Sequence, residues 1–264
     1  MNYSCLEELQ VDLDLHNLDK ISILSKTGRQ CNEGWFVITN DGHCHLFGKD
    51  GNPDDIKKIT QLTEKYIRRD IAKIIIPDSV TSIGVLAFYS YVSLTNVTIP
   101  NSMTSIGDWA FKHCIGLTNI AIPDSVTSMG DGTFCDCLNL TNVTIGSGVT
   151  SIGYGVFDGC IRLTSVTIPN SVTSIGKEAF FNCTSLKNMT IPDSMMSIGD
   201  GGFEECSDLT HMTIPNSMTS IGPYAFYGCN NLISLTFKGK TLEQVKKMRC
   251  YPWGIKDESI IQVG

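Results

Sequence analysis

The chain is poor in charge and in aromatic residues, and it has no long apolar run. Charged residues make up 18% of its 264 positions and aromatics 8%, with only 5 His and 3 Trp. No stretch approaches the roughly 20 uninterrupted apolar residues of a membrane-spanning helix, so no transmembrane segment is expected. Residues 1–20 carry acids where a secretory signal has a basic start and an apolar core, so no signal peptide is expected either. Between residues 76 and 236 there are 12 acidic residues and 4 basic ones, leaving 15 acidic and 16 basic elsewhere. Without a basic stripe to follow a phosphate backbone, nucleic acid is not an expected partner. The five histidines, His16, His43, His45, His113 and His211, form no row, and no Ser or Cys stands in a nucleophile-elbow context. The expectation is therefore a non-enzyme with no catalytic residue, cofactor or metal. Cys31, His43 and His45 could make a zinc cluster, but no C-x-x-C pair accompanies them. Asp50, Asn52 and Asp54 begin like a calcium loop, yet its sixth position is Asp55 instead of Gly and its twelfth Gln61 instead of Glu. Neither is read as a metal site.

What the chain does have is repetition. A 23-residue unit recurs seven times without insertion, from Ile76-Pro77-Asp78-Ser79-Val80-Thr81-Ser82-Ile83-Gly84 to Ile214-Pro215-Asn216-Ser217-Met218-Thr219-Ser220-Ile221-Gly222. Three rows return at that spacing: Gly84 to Gly222, Phe88 to Phe226 and Leu94 to Leu232. A period of about 20 to 50 residues marks a solenoid, in which each unit buries its apolar face only against its neighbours. Within a unit, Val97 and Ile99 alternate with Asn96 and Thr98, the pattern of a half-buried strand. Pro100 closes that strand because it has no N–H to give. A second short apolar segment, 103–106, precedes Gly107, which is expected to turn the chain through a positive φ. From 108 to 114 the spacing of Ala110, Phe111 and Cys114 suits a single helical turn.

The pattern L-x-x-V-x-I-P-x-S-V-T-S-I-G-x-x-A-F-x-x-C resembles the BspA-like, or Treponema pallidum type, leucine-rich repeat, over roughly residues 71–237. Where the general leucine-rich form has Asn or Cys after the strand, this chain has Ser79, Ser102, Ser125, Ser171, Ser194 and Ser217. Gly146 and Gly148 break the Pro and Ser rows in one unit, read as a local bend or, preferably, a tolerated variation. The resemblance implies a leucine-rich-repeat coil of β-strands and short helical turns. It also implies cell-surface or secreted proteins that adhere to host proteins or other cells. A cytoplasmic location and an intracellular protein–protein scaffold are the alternatives.

The division expected is a small β-containing region at 1–52, a capping helix at 53–70, the solenoid at 71–237 and a C-terminal cap at 238–264. Asn40-Asp41-Gly42 predicts a hairpin between 35–39 and 43–47, and 11–15 and 21–24 are further strand candidates. The capping helix rests on Asn52, Pro53, acids in the first turn and Arg68 and Arg69 in the last. Thr241-Leu242-Glu243-Gln244 has capping-box form, and Trp253, Ile260, Ile261 and Val263 could cover the last coil.

Six of the 11 cysteines, Cys114, Cys137, Cys160, Cys183, Cys206 and Cys229, keep the repeat period. Equivalent side chains in stacked coils point in parallel, whereas a disulfide needs convergent β-carbons. They are read as buried thiols, with Tyr91 filling the row in the first unit.

Binding is expected on the repeated surface, with a protein or glycan as ligand. One candidate is the outward strand face, carrying Asn96, Asn119, Asn142, Asn188 and His211 among threonines; the plain reading there is a solvated sheet face. The other is the turn after each Gly, where units differ most and where Trp109, Tyr154, Tyr224 and Tyr227 supply aromatic anchors.

Overall fold

A computed structural model describes residues 71–76 and 78–264, together with three earlier strands, Gly34–Ile38, His43–Gly48 and Lys58–Ile59. Each unit makes one coil carrying two short parallel strands. The first row of strands is Lys73–Ile75, Asn96–Thr98, Asn119–Ala121, Asn142–Thr144, Ser165–Thr167, Asn188–Thr190, His211–Ile214 and Ser234–Phe237, paired in three runs that break after Asn96–Thr98 and after Ser165–Thr167. The second runs through Ser82–Ile83, Ser105–Ile106, Ser128–Met129, Ser151–Ile152, Ser174–Ile175, Ser197–Ile198 and Ser220–Ile221. Register follows the repeat: Asn142 pairs with Asn119 on one side and with Ser165 on the other. Matching side chains therefore stand in rows, with β-branched residues or Met facing in and Thr or Asn facing out, as the alternation requires.

The interior is one continuous core. Its spine is the Phe row, in which successive rings from Phe88 to Phe226 stack with centroids 5.2 to 5.9 Å apart. The cysteine row lies beside it. Each thiol is free and donates to the carbonyl of the Phe 26 residues earlier, as from Cys160 to Phe134 at 3.2 Å and Cys183 to Phe157 at 3.1 Å. A small apolar group with a weak S–H donor fits here, adding a second donor to carbonyls that already accept a backbone N–H from three residues on, as Phe134 O does from Cys137 N–H.

Gly107 does not have the positive φ expected of it. It is glycine because the coils touch there: a β-carbon would lie 2.6 Å from the Val85 nitrogen and 2.7 Å from the Gly84 carbonyl carbon. Positive φ appears instead two and six residues later, at Trp109 (52°) and His113 (60°), and recurs at Glu178 and Asn182 and at Tyr224 and Gly228. The segment expected as a helical turn is consequently a chain of turns. Alternate N–H groups bond locally, Lys112 to Trp109 O and Cys114 to Phe111 O. Those between reach the next coil, Trp109 to Asp131 O, Phe111 to Thr133 O and His113 to Cys135 O.

The unit with Gly146 and Gly148 distorts the stack. A β-carbon on Gly148 would meet Asp124 O at 2.2 Å, whereas one on Gly153 would touch Asp131 Oδ1 at 2.9 Å but find the nearest backbone atom, Met129 O, only at 3.9 Å. The coil presses on its neighbour at one corner and stands off at the other. The second ladder is interrupted there, ending at Ser128–Met129 and resuming at Ser151–Ile152. This favours the bend over the tolerated variation.

At the start, the expected hairpin is present, Gly34–Ile38 antiparallel to His43–Gly48, and its second strand runs parallel to Lys73–Ile75. Lys58–Ile59, inside the expected capping helix, is instead a strand paired with Ser82–Ile83. There, hydrogen bonding to the open edge of the second ladder has overridden a helical apolar pattern. The rest of the expected helix, the strand candidates at 11–15 and 21–24, Cys31 and the calcium-like loop apart from Lys58–Ile59 lie outside the described residues.

At the other end Thr241 caps helix Leu242–Lys246 in a capping box with Gln244. Trp253 is fully buried, 5.5 Å from the Phe237 ring, and its carbonyl accepts from Phe226 N–H as the next coil would. Ile261–Val263 extends the first ladder.

Candidate functional site

The two candidate faces differ in what their polar groups are already doing. On the strand face Asn96, Asn119, Asn142 and His211 are exposed, and Asn188 shares their row by backbone register. The threonines beside them are occupied: Thr95, Thr141 and Thr164 each donate a hydroxyl to a carbonyl one coil back, at 2.9 to 3.0 Å. The Asn142 amide donates to Asn119 Oδ1 at 3.0 Å. Several polar groups of this surface are therefore bonded within the protein.

The turn face carries the aromatics. Trp109, Tyr154, Tyr224 and Tyr227 are 40 to 61% exposed. The first two lie in coils separated by Gly132, whose position Trp109 covers: a β-carbon there would strike the indole at 2.3 Å. Gly132 N–H in turn bonds to Tyr154 O. Tyr224 and Tyr227 meet edge to face at 6.1 Å in the last unit. The structure thus brings the four predicted anchors onto one face in two groups. Because alternate N–H groups in each turn bond to the adjacent coil, the anchors project from a fixed backbone, and binding need not order loops.

Carboxylates accompany the rings, and a search for recurring residues misses them because their rows are mixed. In the rows five and six residues after each Gly stand Asp136, Asp158, Glu204 and Glu205, with Glu178 in the row of Trp109. Burial and then Asp136 push Asp158 above the usual carboxylate range; burial and then Glu178 and Glu205 do the same for Glu204. Glu178 raises the Tyr154 phenol and pairs with Lys177 at 3.3 Å. Other carboxylates are structural: Asp108 accepts from Asp131 N–H and Asp131 from Tyr154 N–H, each at 3.0 Å.

Cys135 stands beside Asp136 (3.3 Å) and Asp158 (3.7 Å), with His113 3.5 Å from Asp136. The grouping has the residue types of a reactive thiol but the opposite electrostatics. Burial, followed by Asp158 and Asp136, pushes the Cys135 thiol up to about 12, whereas a nucleophile needs a lowered value. Among the described residues no group of three or more His, Cys, Asp or Glu could hold a metal ion, and no helix is long and apolar enough to cross a membrane.

No curated protein is significantly similar to the chain. Among solved structures it is similar to a leucine-rich repeat protein from Bacteroides ovatus, at 29% identity and a TM-score of 0.61. That match covers 80% of this chain and 58% of the other, so the chain spans little more than half of that protein's length. A T. pallidum leucine rich repeat protein matches at 22% identity over 81% of this chain and 87% of its own, with a TM-score of 0.47. A leucine rich cell surface protein from Faecalibacterium prausnitzii matches at 19% over 86% and 98%, with a TM-score of 0.37. The family model for the BspA type leucine rich repeat region matches residues 64–170 and 150–257. With its 23-residue coils stacked in register and that match running through most of its length, the chain belongs to the BspA-type leucine-rich repeat family.

Proposed function

We propose that this repeat module is a non-enzymatic adhesion module that holds an extracellular or host protein, or its glycan, on the turn face. The observation that carries this reading is the contrast between the faces. Exposed aromatics and half-buried carboxylates stand on a hydrogen-bonded turn backbone, while many polar groups of the strand face are spent on one another. Rigid aromatic anchors are where binding energy concentrates. The test measures binding of the purified protein to whole cells before and after protease or glycosidase treatment. Trp109→Ala with Tyr224→Ala is expected to abolish binding while leaving the unfolding midpoint unchanged. Retained binding in that double variant removes the turn face from consideration.

One observation favours an intracellular scaffold using the same face. All eight described cysteines are free, as suits a reducing compartment. Fractionation of the native cell separates the two readings: protein confined to the cytosol excludes adhesion.

A further inference from the structure

The geometry points to a lysine- and arginine-rich segment of a protein partner as the occupant of the turn face. This deepens the proposed function and rests on the turn face being the binding surface.

The first argument is charge complementarity around exposed rings. The seven turns, residues 85–91 and their equivalents through 223–229, hold eight acidic residues and two basic ones, Lys112 and Lys177. Most of the acid of the solenoid is thus on the face that also exposes Trp109, Tyr154, Tyr224 and Tyr227. Lys112 lies 3.8 Å from Asp136 and Lys177 3.3 Å from Glu178. Among the described residues Asp158, Glu204 and Glu205 have no ion-pair partner.

The second argument is that the protein already holds one such cation here. Lys177 Nζ lies 5.9 Å from the centre of the Tyr154 ring while Glu178 binds it from the side. Ring face and carboxylate act together on one ammonium, the geometry in which a cation is held by both quadrupole and charge. Rings and carboxylates meet again in the next two coils, where Glu205 N–H bonds to Tyr227 O at 2.7 Å and so sets the coil of Glu204 and Glu205 against that of Tyr224 and Tyr227. There the row that Lys177 occupies holds Asp200 and Pro223. This second ring-and-carboxylate set has no lysine in that row and is open to a cation from outside. The negative face would also steer a basic segment during encounter.

The experiment titrates the full chain with a labelled peptide of alternating lysine and glycine, followed by fluorescence anisotropy at about 0.15 M salt. Glu178→Gln, Glu204→Gln and Glu205→Gln together are expected to weaken binding about tenfold. Tyr154→Leu with Tyr224→Leu should weaken it as well. Asp78→Asn, Asp193→Asn and Asp208→Asn together make the same change in net charge away from the turns and should leave affinity within about twofold. Equal loss in both triple variants shows attraction to net charge alone and overturns the proposal, as does a peptide that does not bind, or equal binding of an alternating glutamate and glycine peptide. If the lysine peptide fails while Trp109→Ala with Tyr224→Ala still abolishes cell binding, the cationic occupant is rejected and the binding face stands.

Discussion

Glycine serves two different ends in this chain, and substitution separates them. At Gly199 an added β-carbon would lie 2.5 Å from backbone atoms of Gly176 and Lys177. At Gly155 the nearest atom would be 3.7 Å away, but φ is +56°. Gly199→Ala is therefore expected to cost about 2 to 3 kcal/mol in urea unfolding, from forced separation of the coils. Gly155→Ala should cost about 1 kcal/mol, most of it recovered by Gly155→Asn, which tolerates the left-handed region. Recovery by Asn at position 199 would contradict the steric account. The thiol row makes a second prediction at this scale. Burial pushes Cys114 and Cys229 from the ordinary 9.0 up to about 12, and the four thiols between them well above 9.0. The folded chain keeps these protons while the unfolded chain releases them, so the stabilisation is complete below pH 9 and is lost as pH rises toward 12. Each thiol should remove about 1.4 kcal/mol per pH unit in that window. Urea midpoints at pH 8 to 10 are expected to fall more steeply for the native chain than for a Cys137→Ala, Cys160→Ala variant.

At the scale of the coil, consensus is a poor guide where one unit is displaced. Serine fills the row of Gly148 in six other units, and Ser171 Oγ donates to Val149 O at 2.7 Å. Gly148→Ser nevertheless places its β-carbon 2.2 Å from Asp124 O. It is expected to lower stability by about 1 to 3 kcal/mol, measured by urea unfolding, although it restores the repeat. Ser125, one coil earlier, is the exception in its row: its buried hydroxyl has no partner among the described residues. The coil itself was legible from sequence because Phe, Leu and Gly return at a fixed interval. The conformation of the turn was not, since its left-handed positions hold residues as different as Trp109, Glu178 and Tyr224. The carboxylates escaped for the same reason, as Asp158 and Glu204 share their row with Phe181 and Tyr227. Trp109 and the three tyrosines were nominated by residue type alone, and the structure leaves all four exposed. Lys58–Ile59 was misread because a short strand at a ladder edge leaves little periodic signature against a longer apolar pattern.

For the molecule as a whole, the ends matter as much as the repeats. Trp253 packs on Phe237, and its indole N–H donates to Arg249 O at 2.8 Å. Trp253→Ala is expected to remove about 3 to 5 kcal/mol and to loosen the cap. The uncovered last coil then offers unpaired strand edges, so association that grows with protein concentration should follow in light scattering. Unchanged stability would mean that the core closes without this cap.

The cysteine row also gives the molecule a built-in position scale. One thiol stands in the same row in each of six successive coils, fully buried in all but the last, so brief alkylation followed by peptide mass mapping reads opening coil by coil. Stacks with nearest-neighbour coupling fray from their ends unless an internal junction is weak. Early labelling of Cys137 and Cys160, which flank the gap between Met129 and Ile152, would mark this solenoid as two halves that part in the middle.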